Sequence, residues 1–324
     1  MTVLACDLGG TRMKIGVVRD GVLLGQAAAP AHSHIGLGPQ LPLLRQIWQR
    51  LLDENRLTWR DCAGISVAFP SLIDAAAGRV LAVHGKYPDA PELDLRAWAR
   101  REFDLPLAIE NDARLALIGE WRVGAGRGCD NLVMITLGTG LGASAVIEGR
   151  VLRGKHGQAG VLGGHLTLRH GGRLCHCGNA GCAETEASTA FLRPLAESFA
   201  GWAGSSLRRA EPLDYAQVFA HAAAGDACAL ALRDHSLRVW GALAVNLIHA
   251  YDPEVVIIGG GIMASAATIL PAVTDYVHRH AHTPWGKVRV LTSTLADTAS
   301  LVAGEWLVRE QVGVGADELM ERTP

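Results

Sequence analysis

Two short glycine-bearing turns, each set between a pair of apolar runs, constrain this chain more than any other feature. Val3 to Cys6 leads through Asp7-Leu8-Gly9-Gly10-Thr11 into Lys14 to Val18, and Asn131 to Leu137 leads through Gly138-Thr139-Gly140-Leu141-Gly142 into Ala143 to Ile147. Each block closes on an acidic residue and a glycine, Asp20-Gly21 and Glu148-Gly149. Short apolar runs bounded by such turns predict strands joined as hairpins. A strand, turn, strand unit that comes back in the second half predicts two related α/β domains from a duplicated unit.

The stretches between fit that scheme. From Gln40 to Asn55 the apolar residues Leu44, Ile47, Trp48, Leu51 and Leu52 recur at helical spacing. Gly64 to Phe69, Arg79 to Val83 and Leu107 to Ile109 predict strands, and Leu95 to Phe103 a helix. The next helix starts at Asn111 or Asp112, either of which suits an N-cap. A long helix from about Ala227 to Ala250 carries Arg233, Asp234 and Arg238, which exclude it from a bilayer. With no compositional linker, the repeat places the division after Asp112: residues 1–112, then 113–299. A last helix, Ser300 to Gln311 within the segment 300–324, could pack on either domain.

Glycine removes the Cβ atoms that would keep a phosphate off the backbone, so the turn Gly9, Gly10, Thr11 predicts a phosphate cradle, with Lys14 or Arg12 offsetting charge. Asp7 could hold Mg2+, which favours carboxylate and phosphate oxygens. The loop Gly138, Thr139, Gly140, Gly142 predicts a second cradle, so that a triphosphate would be gripped from both sides. Gly259-Gly260-Gly261, after the apolar run Val255 to Ile258, lacks dinucleotide spacing and reads as an adenosine seat or a helix-packing turn. Asp112 could take a proton from a hydroxyl while Asn111 orients the substrate, or it could simply cap the helix.

Cys175-x-Cys177-x-x-x-x-Cys182, preceded by His165, supplies three thiolates and an imidazole, the donor set of a closed structural Zn2+ site. His170 and His176 are close enough in sequence to substitute. Glu184 would be placed by that loop. The remaining cysteines, Cys6, Cys62, Cys129 and Cys228, read as small buried residues. An odd total of 7 cysteines argues against a disulfide framework. A formal charge of −2 offers no field for nucleic acid. The apolar runs fall short of the ~20 residues a spanning helix needs, and the N-terminus has no basic n-region, so no membrane partner and a cytoplasmic protein are expected.

Taken in order, Asp7-Leu-Gly-Gly-Thr11, Glu110-Asn-Asp-Ala113, Leu137-Gly-Thr-Gly-Leu-Gly142, Gly164-His165, Cys175-x-Cys-Gly-x-x-Gly-Cys182 and Glu184-x-x-x-Ser188 resemble the ROK family of bacterial sugar kinases and sugar-responsive repressors. The resemblance runs from Asp7 to Gly261. It implies an actin-like ATPase (ribonuclease H-like) fold, with a cleft between duplicated domains, and an ATP-dependent sugar kinase that uses Mg2+. It also implies Asp112 as general base, Asn111 and Glu184 on sugar hydroxyls, and His165 shared by Zn2+ and sugar. The family often dimerises, so a homodimer is expected, although no stripe in the chain marks the interface. The family's repressors carry an N-terminal DNA-binding segment, for which a first strand at Val3 leaves no room.

The departures concern the sugar. Leu162 stands where family kinases carry a glutamate three residues before the histidine, Ser71 follows Pro70 in place of glycine, Arg114 replaces a frequent asparagine, and His84-Gly-Lys-Tyr87 lacks the usual asparagine loop. An unusual acceptor is expected, with Lys86, Gln158 or Glu186 replacing lost contacts. The competing reading is a non-catalytic sugar sensor of the same family, against which Asp112 argues.

Overall fold

The computed structural model describes residues 1–83 and 85–313. His84 and the 314–324 part of the expected C-terminal segment lie outside the described residues. The chain forms two compact units. The first comprises residues 1–123, 153–158 and, among the described residues, 298–313; the second comprises 124–152 and 159–297.

The first unit opens with β1 (Thr2–Leu8), β2 (Arg12–Arg19) and β3 (Val22–Pro30), an antiparallel meander. Helix α1 (Leu41–Glu54) lays Leu44, Ile47, Trp48, Leu51 and Leu52 into the core, and the Trp48 indole donates to the Ala5 carbonyl at 3.3 Å. Next come β4 (Cys62–Phe69), the small hairpin β5 (Leu72–Asp74) and β6 (Arg79–Ala82), α2 (Leu95–Phe103), β7 (Leu107–Asn111) and α3 (Asp112–Val123). Asp94 starts α2 by accepting from the Ala97 N–H at 2.9 Å. The sheet order is β3-β2-β1-β4-β7, with β4 and β7 parallel to β1.

The second unit repeats that order. β8 (Leu132–Leu137), β9 (Leu141–Ile147) and β10 (Arg150–Val151) are antiparallel. Then α4 (Ala183–Ala187), α5 (Leu192–Glu197), α6 (Tyr215–Ala223) and α7 (Ala227–Tyr251) precede β11 (Val255–Gly259), α8 (Ala266–His280) and β12 (Arg289–Thr292). The sheet reads β10-β9-β8-β11-β12, with β11 and β12 parallel to β8. Position for position this is the first sheet again, so the duplication written in the two glycine turns is realised in strand order. Each sheet has its own buried cluster, around Leu4, Ile15 and Trp48 in the first unit and Val133, Trp240 and Val256 in the second.

The chain returns to the first unit with α9 (Ala299–Val302) and α10 (Gly304–Val312). The single helix expected over Ser300 to Gln311 is thus two. Gly304 lies against Ser66 of β4, where an added Cβ would sit 2.8 Å from the serine Cβ. The division expected after Asp112 moves to Val123. The reason is packing: Gly119 of α3 backs directly onto the Ala299 carbonyl, and Trp121 meets Trp306 with ring centroids 6.2 Å apart. A chain that divides after Asp112 would strip α3 from the helices it was buried against. Among the described residues no helix is long and apolar enough to cross a membrane.

Candidate functional site

In the first unit, Asp7 sits near the end of β1, opposite Lys14 in the β1–β2 register. Lys14 Nζ lies 3.4 Å from its carboxylate, and Ser300 Oγ donates to the same oxygen at 2.8 Å. The turn that follows is tight: a Cβ on Gly9 would meet the Arg12 carbonyl at 2.5 Å. Its carbonyls are held from outside the hairpin, with Tyr87 Oη donating to Gly9 O at 2.8 Å and Ser33 Oγ donating to Gly10 O at 2.6 Å.

Asp112 opens α3 directly after the buried strand β7. Its carboxylate accepts the Ala113 N–H at 2.8 Å. Burial, and after it the negative charge of Asp7, push its pKa from 3.8 up to about 6, against the opposing pull of Lys86, the Ala113 N–H and Lys14. A carboxyl so placed is ionised near neutral pH yet basic enough to accept a proton from an alcohol. The cap of α3 is Asn111, whose side chain accepts from the Arg114 N–H at 3.1 Å and donates to the Ser71 carbonyl at 3.2 Å. Asn111 thereby takes the N-cap, leaving Asp112 one N–H of the first turn.

Arg114 does not face a ligand. It is 1% exposed and pairs at 2.6 Å with Glu110, which is fully buried, and it donates to the Gly157 carbonyl at 2.9 Å. Arg153 closes the network, reaching Glu110 at 2.7 Å and Glu310 at 2.6 Å. The change from asparagine to arginine therefore belongs to the scaffold beneath Asp112, which sequence spacing alone had grouped with the sugar positions.

In the second unit the loop Gly138, Thr139, Gly140 is fastened to the segment after α4. Thr189 N–H donates to Gly138 O at 3.1 Å and Ala190 N–H to Thr139 O at 2.9 Å. Glu184 of α4 accepts the Leu141 N–H at 3.0 Å, and a Cβ on Gly140 would be 2.5 Å from that carboxylate. Gly140 is therefore what allows Glu184 to reach the loop. Gly142 lies in β9, paired with Thr136 of β8.

His165, Cys175, Cys177 and Cys182 converge, with their donor atoms all within 4.8 Å of one another. Cys177 Sγ is 3.7 Å from Cys182 Sγ, and Cys175 Sγ is 3.5 Å from His165 Nδ1. A tetrahedral zinc with Zn–S near 2.3 Å and Zn–N near 2.05 Å requires about 3.8 Å between sulfurs and about 3.6 Å from sulfur to nitrogen. Those two of the six edges already match that polyhedron. His176 stays out of the cluster and lies on Phe191, ring centroids 4.7 Å apart. Glu184 Oε1 is 4.0 Å from Cys175 Sγ, so the cluster, Glu184 and the glycine loop form one connected piece.

The Gly259-Gly260-Gly261 turn divides its labour. At Gly260, φ is +94° and the Leu137 backbone fills the space of a Cβ, whereas Gly261 has open space around it. Of the positions considered for replacement contacts, Glu186 is occupied by Arg169 at 3.6 Å and His235 at 3.5 Å, while Gln158 is exposed. Leu162 is 37% exposed.

A model of the ROK family matches residues 3–311. The chain belongs to the ROK family. It is 31% identical over 319 residues to a glucokinase of Halalkalibacterium halodurans, covering 94% of each chain. Among solved ROK structures it resembles a hexokinase from Thermus thermophilus (29% identity, TM-score 0.77, 97% of this chain and 100% of that one). It also resembles a glucokinase from Streptomyces griseus in complex with glucose and AMPPNP (26%, TM-score 0.77, 96% and 100%). The paired sheets are those of the actin-like ATPase fold of ROK sugar kinases.

Proposed function

We propose that Asp112 is the general base with which this ROK chain moves the γ-phosphoryl group of ATP onto a sugar hydroxyl. The chain is an ATP-dependent carbohydrate kinase. The observation that carries the assignment of the base is the Asp112 carboxyl itself, raised to about 6 and set in the same unit as the Gly9-Gly10-Thr11 turn. In the proposed step the acceptor hydroxyl gives its proton to Asp112. Its oxygen bonds to the γ-phosphorus in line with the departing ADP oxygen, whose bond to phosphorus breaks. Asn111 orients the acceptor.

Asp7, with Lys14 beside it, would hold Mg2+ on the phosphates, and Gly9, Gly10 and Thr11 would offer N–H and hydroxyl donors to them. We assign the Gly138, Thr139, Gly140, Gly142 loop to phosphate binding as well, and the open side of Gly261, with Gly259 and Gly260, to the adenosine. His165 and Glu184 are assigned to sugar hydroxyls. Zn2+ fits the His165, Cys175, Cys177, Cys182 donors, and with four protein ligands it has no open position, so its part is to hold the loop in shape. A homodimer, a cytoplasmic location and the lack of a nucleic-acid partner complete the reading; the first rests on the family resemblance, the others on a formal charge of −2 and on apolar runs too short to span a bilayer.

Leu162 removes a carboxylate that family kinases direct at the sugar, so the acceptor differs from plain glucose. The test is a coupled ADP-release screen over hexoses, N-acetylhexosamines and small polyols, run with the wild type and Asp112→Asn. We expect a hit, and a fall in kcat on the order of 10²-fold or more in the variant with nucleotide affinity little changed. Near-normal turnover would remove Asp112 from its role, efficient turnover of glucose would remove the unusual acceptor, and sugar binding without any ADP release would favour the sensor.

A further inference from the structure

Lys86 is a half-buried cation lying across the phosphate turn, and among the described residues its ammonium makes neither a hydrogen bond nor an ion pair. Its stem covers Gly10: a Cβ at that glycine would meet Lys86 Cε at 2.7 Å, Cδ at 3.1 Å and Nζ at 3.3 Å. Gly10 therefore has to be glycine for this lysine to lie where it does.

The position is built and not incidental. Tyr87, next in the chain, is fully buried; its N–H donates to the Ser33 carbonyl at 2.7 Å and its phenol to Gly9 O. Ser33 in turn holds Gly10 O. Gly85 and Tyr87 flank Lys86 with φ of +71° and +51°; glycine takes the first freely, whereas Tyr87 is held in the second by its two hydrogen bonds. The segment is thus stapled to the same turn that Lys86 covers, and Asp112 is the carboxylate that feels its charge.

The loop's other lysine is engaged, since Lys14 lies against Asp7. The Lys86 ammonium has no direct partner, only the Asp112 carboxylate within electrostatic range, and an incoming anion of matching position would give it one. A phosphoryl group set on Gly10 N–H would supply the charge, beside the carboxylate that takes the acceptor's proton.

We propose that Lys86 is a catalytic residue of this kinase, donating to the oxygens of the terminal phosphoryl group as that group passes from the nucleotide to the sugar. The inference rests on the kinase reading above. Lys86 stays protonated throughout: the P–O bond to ADP breaks, the P–O bond to the sugar forms, and the proton goes to Asp112. Because the contact is to the terminal phosphate, it exists with a triphosphate and not with a diphosphate.

The experiment is calorimetric binding of Mg-AMPPNP and of Mg-ADP to the full chain, wild type against Lys86→Met, with Lys86→Gln and Lys86→Arg alongside and melting curves to confirm that each is folded. Losing a charge-assisted contact should weaken AMPPNP by about 10- to 100-fold in Lys86→Met and Lys86→Gln, leave ADP within about twofold, and be partly restored by Lys86→Arg. Unchanged AMPPNP binding, or equal weakening of both nucleotides, overturns the role of Lys86 while the kinase reading stands. A wild type that binds neither nucleotide overturns both.

Discussion

Replacing Asp112 with asparagine should inactivate the protein and stabilise it. The carboxyl rises from an ordinary 3.8 to about 6 in the folded chain, because burial and Asp7 both oppose its charge. A rise of about two pH units at 1.36 kcal/mol each corresponds to about 3 kcal/mol of preference for the protonated form, an upper figure for a half-buried group that can relax toward solvent. The sign follows from the direction of the rise. Below about pH 4 the group is protonated in both states and costs nothing. Between about 4 and 6 the unfolded chain ionises first and stability is lost; above about 6 both states are ionised and the cost stays constant. Asparagine cannot ionise, and its carbonyl can still accept the Ala113 N–H that Asp112 accepts at 2.8 Å. In urea melts of magnesium- and nucleotide-free protein, Asp112→Asn should gain about 1–3 kcal/mol at pH 7.5 and converge on the wild type toward pH 4. A variant no more stable than the wild type at pH 7.5, or a gap that does not narrow in acid, would refute the reasoning.

Metal analysis of the purified chain should find zinc bound at the His165, Cys175, Cys177, Cys182 cluster, and Cys177→Ser or chelation should remove it and lower both melting temperature and sugar affinity. Arg114→Ala takes one of two guanidinium partners from the buried Glu110, Arg153 remaining, and should cost about 3 kcal/mol, the low end for a broken buried pair, in urea melts. Pairing Arg114→Met with Glu110→Gln should recover part of that loss, since no buried carboxylate is then left short of a partner.

Much of the fold was legible because hairpins and amphipathic helices are local. The turns at Asp7 to Thr11 and Thr136 to Gly140 announced the duplication, and the spacing of Leu44, Ile47, Trp48, Leu51 and Leu52 announced α1. The four donors of the cysteine cluster were equally readable as a set, and the structure brings them together. What the sequence withheld were contacts between distant segments. The return of residues 153–158 to the first unit depends on Arg153 finding Glu110 and Glu310, partners that no periodicity links. Arg114 looked like a change at the sugar because its neighbours in sequence concern the sugar, yet a side chain on α3 can turn inward. Lys86 carried no motif; its place over Gly10 follows from Tyr87 and Ser33, whose bonds cannot be read from spacing.

The first unit is finished by the last described helices: Ser300 reaches Asp7, Ala299 backs onto Gly119, and the Gln311 side chain bonds both backbone groups of Ile109. During synthesis the sheet of the first unit is made before the second unit but must wait until that unit has been translated before these partners emerge. The second unit, apart from one short excursion, is contiguous and can close earlier. Birth order and completion order are therefore reversed, and a nascent chain stalled before residue 298 would expose an unclosed N-terminal half to chaperones or proteases.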